Sequence, residues 1–358
     1  DDEHSPQPPP TLSNVALPRD TAGQKLITGE LDILLHQGVY FLYSNNLGWC
    51  PGIDCCASPG GCATCCFEHP PAGYERGCGR GDVSRLPRSE GPVSVLRNSS
   101  DPWGFYHEVQ VYRTADFRSF ENLGVALSPS AHHWGCVYRP HVRWNPTTEQ
   151  FIMWTASEGC GVGDPRGSLP AFTVFTSPTA AGPFRALEYN VTLPGKGGAG
   201  DFTLFVDGDG TTAYNIRTGY DIVRLNAAWT GPAETDAHVA SVSIPGHDFS
   251  EAPVVFQRGE VYYLLGTLAC CVCTGGSNLW VLTAPSMRGP WEFRGDIGSN
   301  PTRFDPHSPR NYVMNAQLSA AFRFPPQISD DDAEGSTGMF VVGNQWNSGV
   351  DERPPGPR

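Results

Sequence analysis

The feature that most constrains this chain is a strand that keeps returning. VYFLYSN from Val39, QFIMWTA from Gln150, TTAYNIR from Thr211, EVYYLLG from Glu260 and MFVVGNQ from Met339 are all rich in aromatic or β-branched residues. Most of them follow a Gly or a polar turn. A second design recurs in YRTADFRSFENLG (Tyr112 to Gly124), FTSPTAAGPFRAL (Phe175 to Leu187) and LTAPSMRGPWEFRG (Leu282 to Gly295). Each is a strand ending in Ser, Thr or Ala, then a short turn, then an aromatic that begins a new strand. Repeated about five times, the combined unit predicts four-stranded sheets set radially, as in a β-propeller; an irregular β-sandwich is the competing architecture. No window sustains a 3.6-residue apolar period, so little helix is expected. The 41 Gly and 33 Pro suit many strands joined by tight turns. The expectation is an all-β chain, a five-bladed β-propeller over residues 29–348; closed β architectures can run this long as one unit.

The twelve cysteines carry the next signal. Seven lie from Cys50 to Cys78, inside a Gly-rich stretch with few strand formers, and the others are Cys136, Cys160, Cys270, Cys271 and Cys273. Cys62 and Cys65 have a zinc-knuckle spacing, but the adjacent pairs (Cys55-Cys56, Cys65-Cys66, Cys270-Cys271) suit disulfides to different partners better than one tetrahedral ion. Residues 49–92 are therefore expected to be a disulfide-stapled insertion in the first blade. Sequons at Asn98 and Asn190 predict glycosylation, and the chain opens at Asp1 rather than Met, as a signal-cleaved chain does. The expected location is secreted, extracellular. Both ends, residues 1–28 and 349–358, are Pro-rich tethers that offer a route to self-assembly.

Charge excludes several partners. The formal net charge is -13, with 24 Lys+Arg against 37 Asp+Glu. A nucleic-acid binder would carry a basic stripe, and none is present. No run of eighteen apolar residues could span a bilayer, and an anionic membrane surface would repel this chain. His132-His133 lacks an acidic partner nearby, and Asp207-Gly208-Asp209-Gly210 lacks the later Glu of a calcium loop and reads as a hairpin turn. No metal or cofactor is expected.

Carboxylates at strand openings point to chemistry. In a propeller the first strand of each blade lines the central channel, so residues opening those strands converge although far apart in sequence. Glu251 opens the strand of FSEAPVVFQRGEVYYLL; Asp201 stands just before Phe-Thr-Leu-Phe-Val; Glu30 and Asp32 precede Ile33-Leu34-Leu35. Tyr138, Arg139 and Pro140 hold the corresponding place in the second blade.

With those segments in view, DFTLFVDGDG and SEAPVVFQRGEVYYLL resemble the signature segments of glycoside hydrolase family 43, five-bladed propellers that hydrolyse arabinans, xylosides and galactans. RPHVRWNPTTEQFIMW and NAQLSAAF resemble its exo-β-1,3-galactanase branch most. The likeness runs from about Gly29 to Trp346, outside the Cys-rich insertion. It implies Glu251 as general acid and Asp201 as the residue that orients it and tunes its pKa. It places the base ten residues before the aromatic pair at Tyr40, which is Glu30 here in place of Asp; Asp32, two residues on, shares that face of a strand. The galactanase-like branch also implies Gln317 in the role of the missing base; a sugar-binding amide and a plain turn residue are the other readings of that position. Tyr138 stands where that branch has an acid, and Gly343-Asn344-Gln345-Trp346 replaces Gly-Asp-Arg-Trp. Tyr138, Arg139, Gln345 and Trp346 are the expected sugar contacts.

An inverting hydrolase needs a protonated carboxyl at the leaving oxygen and a group holding water across from it. A neighbouring carboxylate such as Asp201 favours the protonated form of Glu251. The reading is thus a hydrolase of β-galactosidic linkages, with Glu30, Asp32 or Gln317 positioning water. The alternative is a glycan-binding or matrix propeller that keeps the pocket without turnover. The expected partner is a polysaccharide or the glycan of a glycoprotein.

Overall fold

The computed structural model describes residues 18–24, 26, 29–46, 108–128, 131, 137–156, 171–247, 250–267, 278–298, 317–324 and 338–344. All twelve cysteines, Asn98, Gln345, Trp346, residues 1–17 of the N-terminal Pro-rich end and the whole C-terminal one lie outside them. No helix among the described residues is long and apolar enough to cross a membrane.

The described chain is all β, a propeller. Its first sheet is β1 (Gly29–His36), β2 (Val39–Asn46), β3 (Glu108–Thr114) and β4 (Glu121–Leu127). The second is β5 (Tyr138–Asn145), β6 (Gln150–Ala156), β7 (Phe172–Ser177) and β8 (Arg185–Val191). The third is β9 (Phe202–Val206), β10 (Ala213–Arg217), β11 (Asp221–Arg224) and β12 (His238–Ser241). The fourth is β13 (Glu251–Arg258), β14 (Val261–Thr267), β15 (Trp280–Ala284) and β16 (Glu292–Asp296). A two-stranded sheet, β17 (Gln317–Phe324) with β18 (Gly338–Asn344), follows. Each sheet is an antiparallel meander in chain order. The recurring aromatic stretches form β2, β6, β10, β14 and β18, the second strand every time.

The first strands face one another. β1 touches β5 and β17, β9 touches β5 and β13, and β13 touches β17. Between sheets the cores are wedges of large side chains, as flat sheets meeting radially require. Leu34, Tyr43, Val142, Phe151 and Met153 fill the first gap; Trp154, Phe172, Phe202, Leu204 and Trp229 fill the second. Ile216, Tyr220, Ile222, Leu264, Trp280 and Leu282 fill the third. Leu318 packs with Val254 and Leu265, while Phe322 and Phe324 pack with Leu31, Ile33 and Tyr40, so β17 is held from both sides. Burying each such side chain contributes roughly 1.5–3 kcal/mol. Trp280, 2% exposed, is part of this packing. Asp207 to Gly210 form the turn between β9 and β10, with Asp209 Oδ1 accepting the N–H groups of Thr211 and Thr212.

Candidate active site

Four of the five inner strands open with the same irregularity. In β1, Gly29 lies opposite Asn45 and Asp32 opposite Tyr43, so three steps on one strand meet two on the other. Tyr138 and His141 repeat this against Ala156 and Trp154, and Glu251 and Val254 against Thr267 and Leu265; in β17 Gln317 and Leu318 stay in register with Asn344 and Gly343 and the extra residue falls before Ala320, opposite Val342. One extra residue makes a β-bulge, which turns the strand end and re-aims its side chains. Gly29, Tyr138, Glu251 and Gln317 are therefore structural equivalents. The residue after the first three takes a left-handed backbone: φ is 28° at Glu30, 51° at Arg139 and 48° at Ala252. Pro140 and Pro253 follow, at bulge positions where no ladder N–H is needed. Glu30 thus aligns with Arg139 and Ala252, one place beyond the position of Glu251.

The bulges bring the predicted groups together. The Gln317 Nε2 amide donates to Asp201 Oδ2 at 2.9 Å and to Glu251 Oε2 at 3.2 Å. Arg139 grips Asp201 with two parallel bonds, Nε to Oδ1 and Nη2 to Oδ2, both 2.9 Å. Its Nη1 donates to the Leu318 carbonyl at 2.5 Å. Its backbone N–H donates to Glu30 Oε2 at 2.8 Å, and Asn45 Nδ2 reaches the same oxygen at 3.3 Å. Glu30 Oε1 stands 3.7 Å from Arg139 Nε. Gln317 and Arg139 are buried, at 1% and 2% exposure; Glu251 is half-buried and the Asp201 side chain is 18% exposed. Two carboxylates therefore face the open end, over a buried amide and a buried cation.

The electrostatics follow from this layering. Burial works against the charge of Arg139, but Asp201, Glu30 and Glu251 around it hold the proton on and raise its pKa. Glu30 is pushed above the usual carboxylate range, first by burial and then by Asp201, against the pull of Arg139. Asp201 and Glu251 accept from a single nitrogen, so their bonded oxygens are closer than the roughly 6.5–9.5 Å of an inverting pair. Asp201 is not placed to hold water across a sugar from Glu251.

The other candidates fall elsewhere. Asp32, only 1% exposed, accepts the Val142 N–H at 2.8 Å and Arg143 Nη1 at 2.7 Å, with His141 Nδ1 at 3.1 Å. Burial alone would raise its pKa, but Arg143, His141 and the Val142 N–H outweigh it and hold the carboxyl well below its ordinary range. Asp32 ties the first sheet to the second and does not reach the open end. Arg139, expected as a sugar contact, gives its guanidinium to protein groups. Tyr138 packs half-buried against the core around Trp154 and Phe202. Asn190 is the penultimate residue of β8, the outermost strand of its sheet.

Sequence reasoning missed the seat beneath Glu251. Tyr220, fully buried and in the left-handed region at φ 52°, donates its hydroxyl to the Glu251 carbonyl at 3.4 Å. A methyl group on Gly266 would lie 1.5 Å from that hydroxyl oxygen, so this position must be Gly. Gly266→Ala is expected to destabilise the fold by at least about 1–3 kcal/mol through overpacking, read as a lower urea midpoint at unchanged slope. The missed signal for Arg139 was the shared Xaa-Pro: Arg139-Pro140 and Ala252-Pro253 mark the same bulge.

No protein-family model matches the chain, and no curated protein matches its sequence. Solved structures do. An exo-β-1,3-galactanase from Phanerochaete chrysosporium, with β-1,3-galactotriose, superposes with a TM-score of 0.56 at 17% identity, covering 86% of this chain and 56% of that one. The chain has the fold of the family 43 exo-β-1,3-galactanases. One from Clostridium thermocellum gives 0.61 at 17% identity, covering 94% and 58%. A family 43 β-1,3-galactosidase with galactodeoxynojirimycin gives 0.56 at 18%, covering 94% and 96%. The chain thus spans little more than half the length of the two galactanases. At such identities the likeness is one of fold.

Proposed function

We propose that the chain is a secreted glycoside hydrolase of the family 43 galactanase type, removing galactose from the end of β-1,3-linked galactan with inversion. In this reading β17 and β18 are the inner half of a fifth blade, and residues 49–92 form a disulfide-stapled insertion. The observation that carries the proposal is the Gln317 amide held between Asp201 and Glu251, which come from three different inner-strand openings. Glu251, half-exposed, gives its proton to the leaving oxygen. Asp201, gripped by Arg139, supplies the neighbouring negative field that favours the protonated acid. With both amide hydrogens directed at carboxylates, the Gln317 carbonyl oxygen takes one orientation and holds the attacking water. The 3.2 Å contact to Glu251 opens when a sugar ring enters. Glu30 and Asp32 are committed to the seam with β5, to the Arg139 N–H and to Val142 and Arg143, and do not touch Glu251 or Asp201 as Gln317 does.

One observation favours a second reading, a glycan-binding propeller without turnover. Tyr138 occupies the equivalent of the Glu251 position, and among the described residues no further carboxylate stands across the site. Incubation with β-1,3-galactotriose separates the two. Stepwise appearance of galactose and galactobiose supports the hydrolase; saturable binding with no product supports the binding protein.

A further inference from the structure

Glu30 is the feature that the proposed reaction leaves unused. It is 6% exposed, sits on a strained bulge, and faces Arg139 rather than the open end. Burying a carboxylate costs several kcal/mol unless it is paired, so its place asks for a reason. The contacts give one. Glu30, Arg139, Asp201, Gln317 and Glu251 form one continuous chain across β1, β5, the start of β9, β17 and β13. Its only cation is Arg139. Glu251 is faced by Gln317 from β17, by Asp201 ahead of β9 and by Tyr220 ahead of β11, with Arg139 acting on it from β5. Glu30 is faced by Arg139 from β5 and Asn45 from β2, within the field of Asp201. The guanidinium attracts the ionised form of Glu251 and so offsets the field of Asp201, and the Arg139–Asp201 pair by itself carries no net negative charge.

We infer that Glu30 is a positioning residue acting through Arg139: its carboxylate balances the guanidinium from behind, so that Arg139 can clamp Asp201 without drawing the proton off Glu251. The inference rests on Glu251 being the acid. It explains why this strand carries a buried carboxyl.

The test is Glu30→Gln, which keeps the volume and an oxygen to accept the Arg139 N–H but removes the charge. Two readouts are taken on the whole protein. The side-chain carboxyl of Glu251 is titrated by NMR in protein carrying 13C at the Glu carboxyls, assigned with Glu251→Gln. Its midpoint is expected to fall by about one pH unit in Glu30→Gln. In the kcat/KM profile on β-1,3-galactotriose, the limb lost as pH rises moves down by the same amount, whereas a merely structural loss would lower the whole profile. In the native protein the Glu251 signal should also register the Glu30 titration as a second inflection, a result that does not depend on the variant folding. An unmoved midpoint, or a native curve with no trace of Glu30, overturns the inference even if the native protein hydrolyses the triose. A moved midpoint in a protein that releases no galactose supports the inference and removes the hydrolase reading instead.

Discussion

Glu251→Gln is expected to lower galactose release from β-1,3-galactotriose by about a thousandfold, within the range that a general acid contributes. Binding of the triose should change by no more than a few-fold, and the urea midpoint should stay where it is. The substitution keeps an oxygen to accept from Gln317 Nε2, which now reaches Oε2 at 3.2 Å, and leaves the backbone contacts to Tyr220 and Thr267 in place. What it removes is the proton for the leaving oxygen. A variant as active as the native protein would show that the acid lies elsewhere, whatever the fold resembles.

Arg139→Met carries the largest expected effect on stability. The side chain is 2% exposed, clamps Asp201 with two bonds, donates to the Leu318 carbonyl and faces Glu30, so its removal takes both clamping bonds from Asp201, the guanidinium donor from the Leu318 carbonyl and the counter-charge from Glu30. Breaking a buried ion pair from one side costs about 3–5 kcal/mol. Urea unfolding at pH 7 should show it as a lower midpoint at unchanged slope. The pH dependence has a definite sign. Without Arg139, which at present pulls the Glu30 pKa down against burial, the folded-state pKa of Glu30 rises further above its unfolded value. A group raised in the folded state favours folding most below its unfolded pKa, and that contribution is lost as pH rises through the folded one. The deficit should therefore be smaller at pH 4.5 than at pH 7. Arg139→Lys should recover only part of it, because an ammonium cannot reproduce the two parallel bonds.

Much of this was legible in the sequence because it depends on local pattern. The aromatic strands β2, β6, β10, β14 and β18 declare themselves by composition. Glu251, Asp201 and Gln317 each stand at a recognisable strand opening, and the structure brings all three together. What escaped is the exact register. The ten-residue count from Tyr40 reaches Glu30 as the base, but the pairing makes Gly29 the equivalent of Glu251 and puts Glu30 one place further on, beside Arg139. Alternation did place Glu30 and Asp32 on one side of β1. That side is the seam with β5, where Glu30 meets the Arg139 N–H and Asp32 meets Val142 and Arg143, and not the open end. Arg139 reads as a sugar contact because it stands at the opening of an inner strand, in the segment that resembles the galactanase branch. Its burial follows only from the carboxylates that three other strands bring around it, which no local pattern contains. The seat made by Tyr220 and Gly266 was hidden for the same reason: it joins a turn of the third sheet to a strand of the fourth.

The most direct test of the account is the anomer first released from β-1,3-galactotriose, followed by proton NMR before mutarotation sets in. The account predicts α-galactose, since water held by Gln317 adds from the face opposite the departing oxygen. Initial β-galactose would contradict it: Asp201 would then be a nucleophile at retaining distance from Glu251, and Gln317 would hold no attacking water.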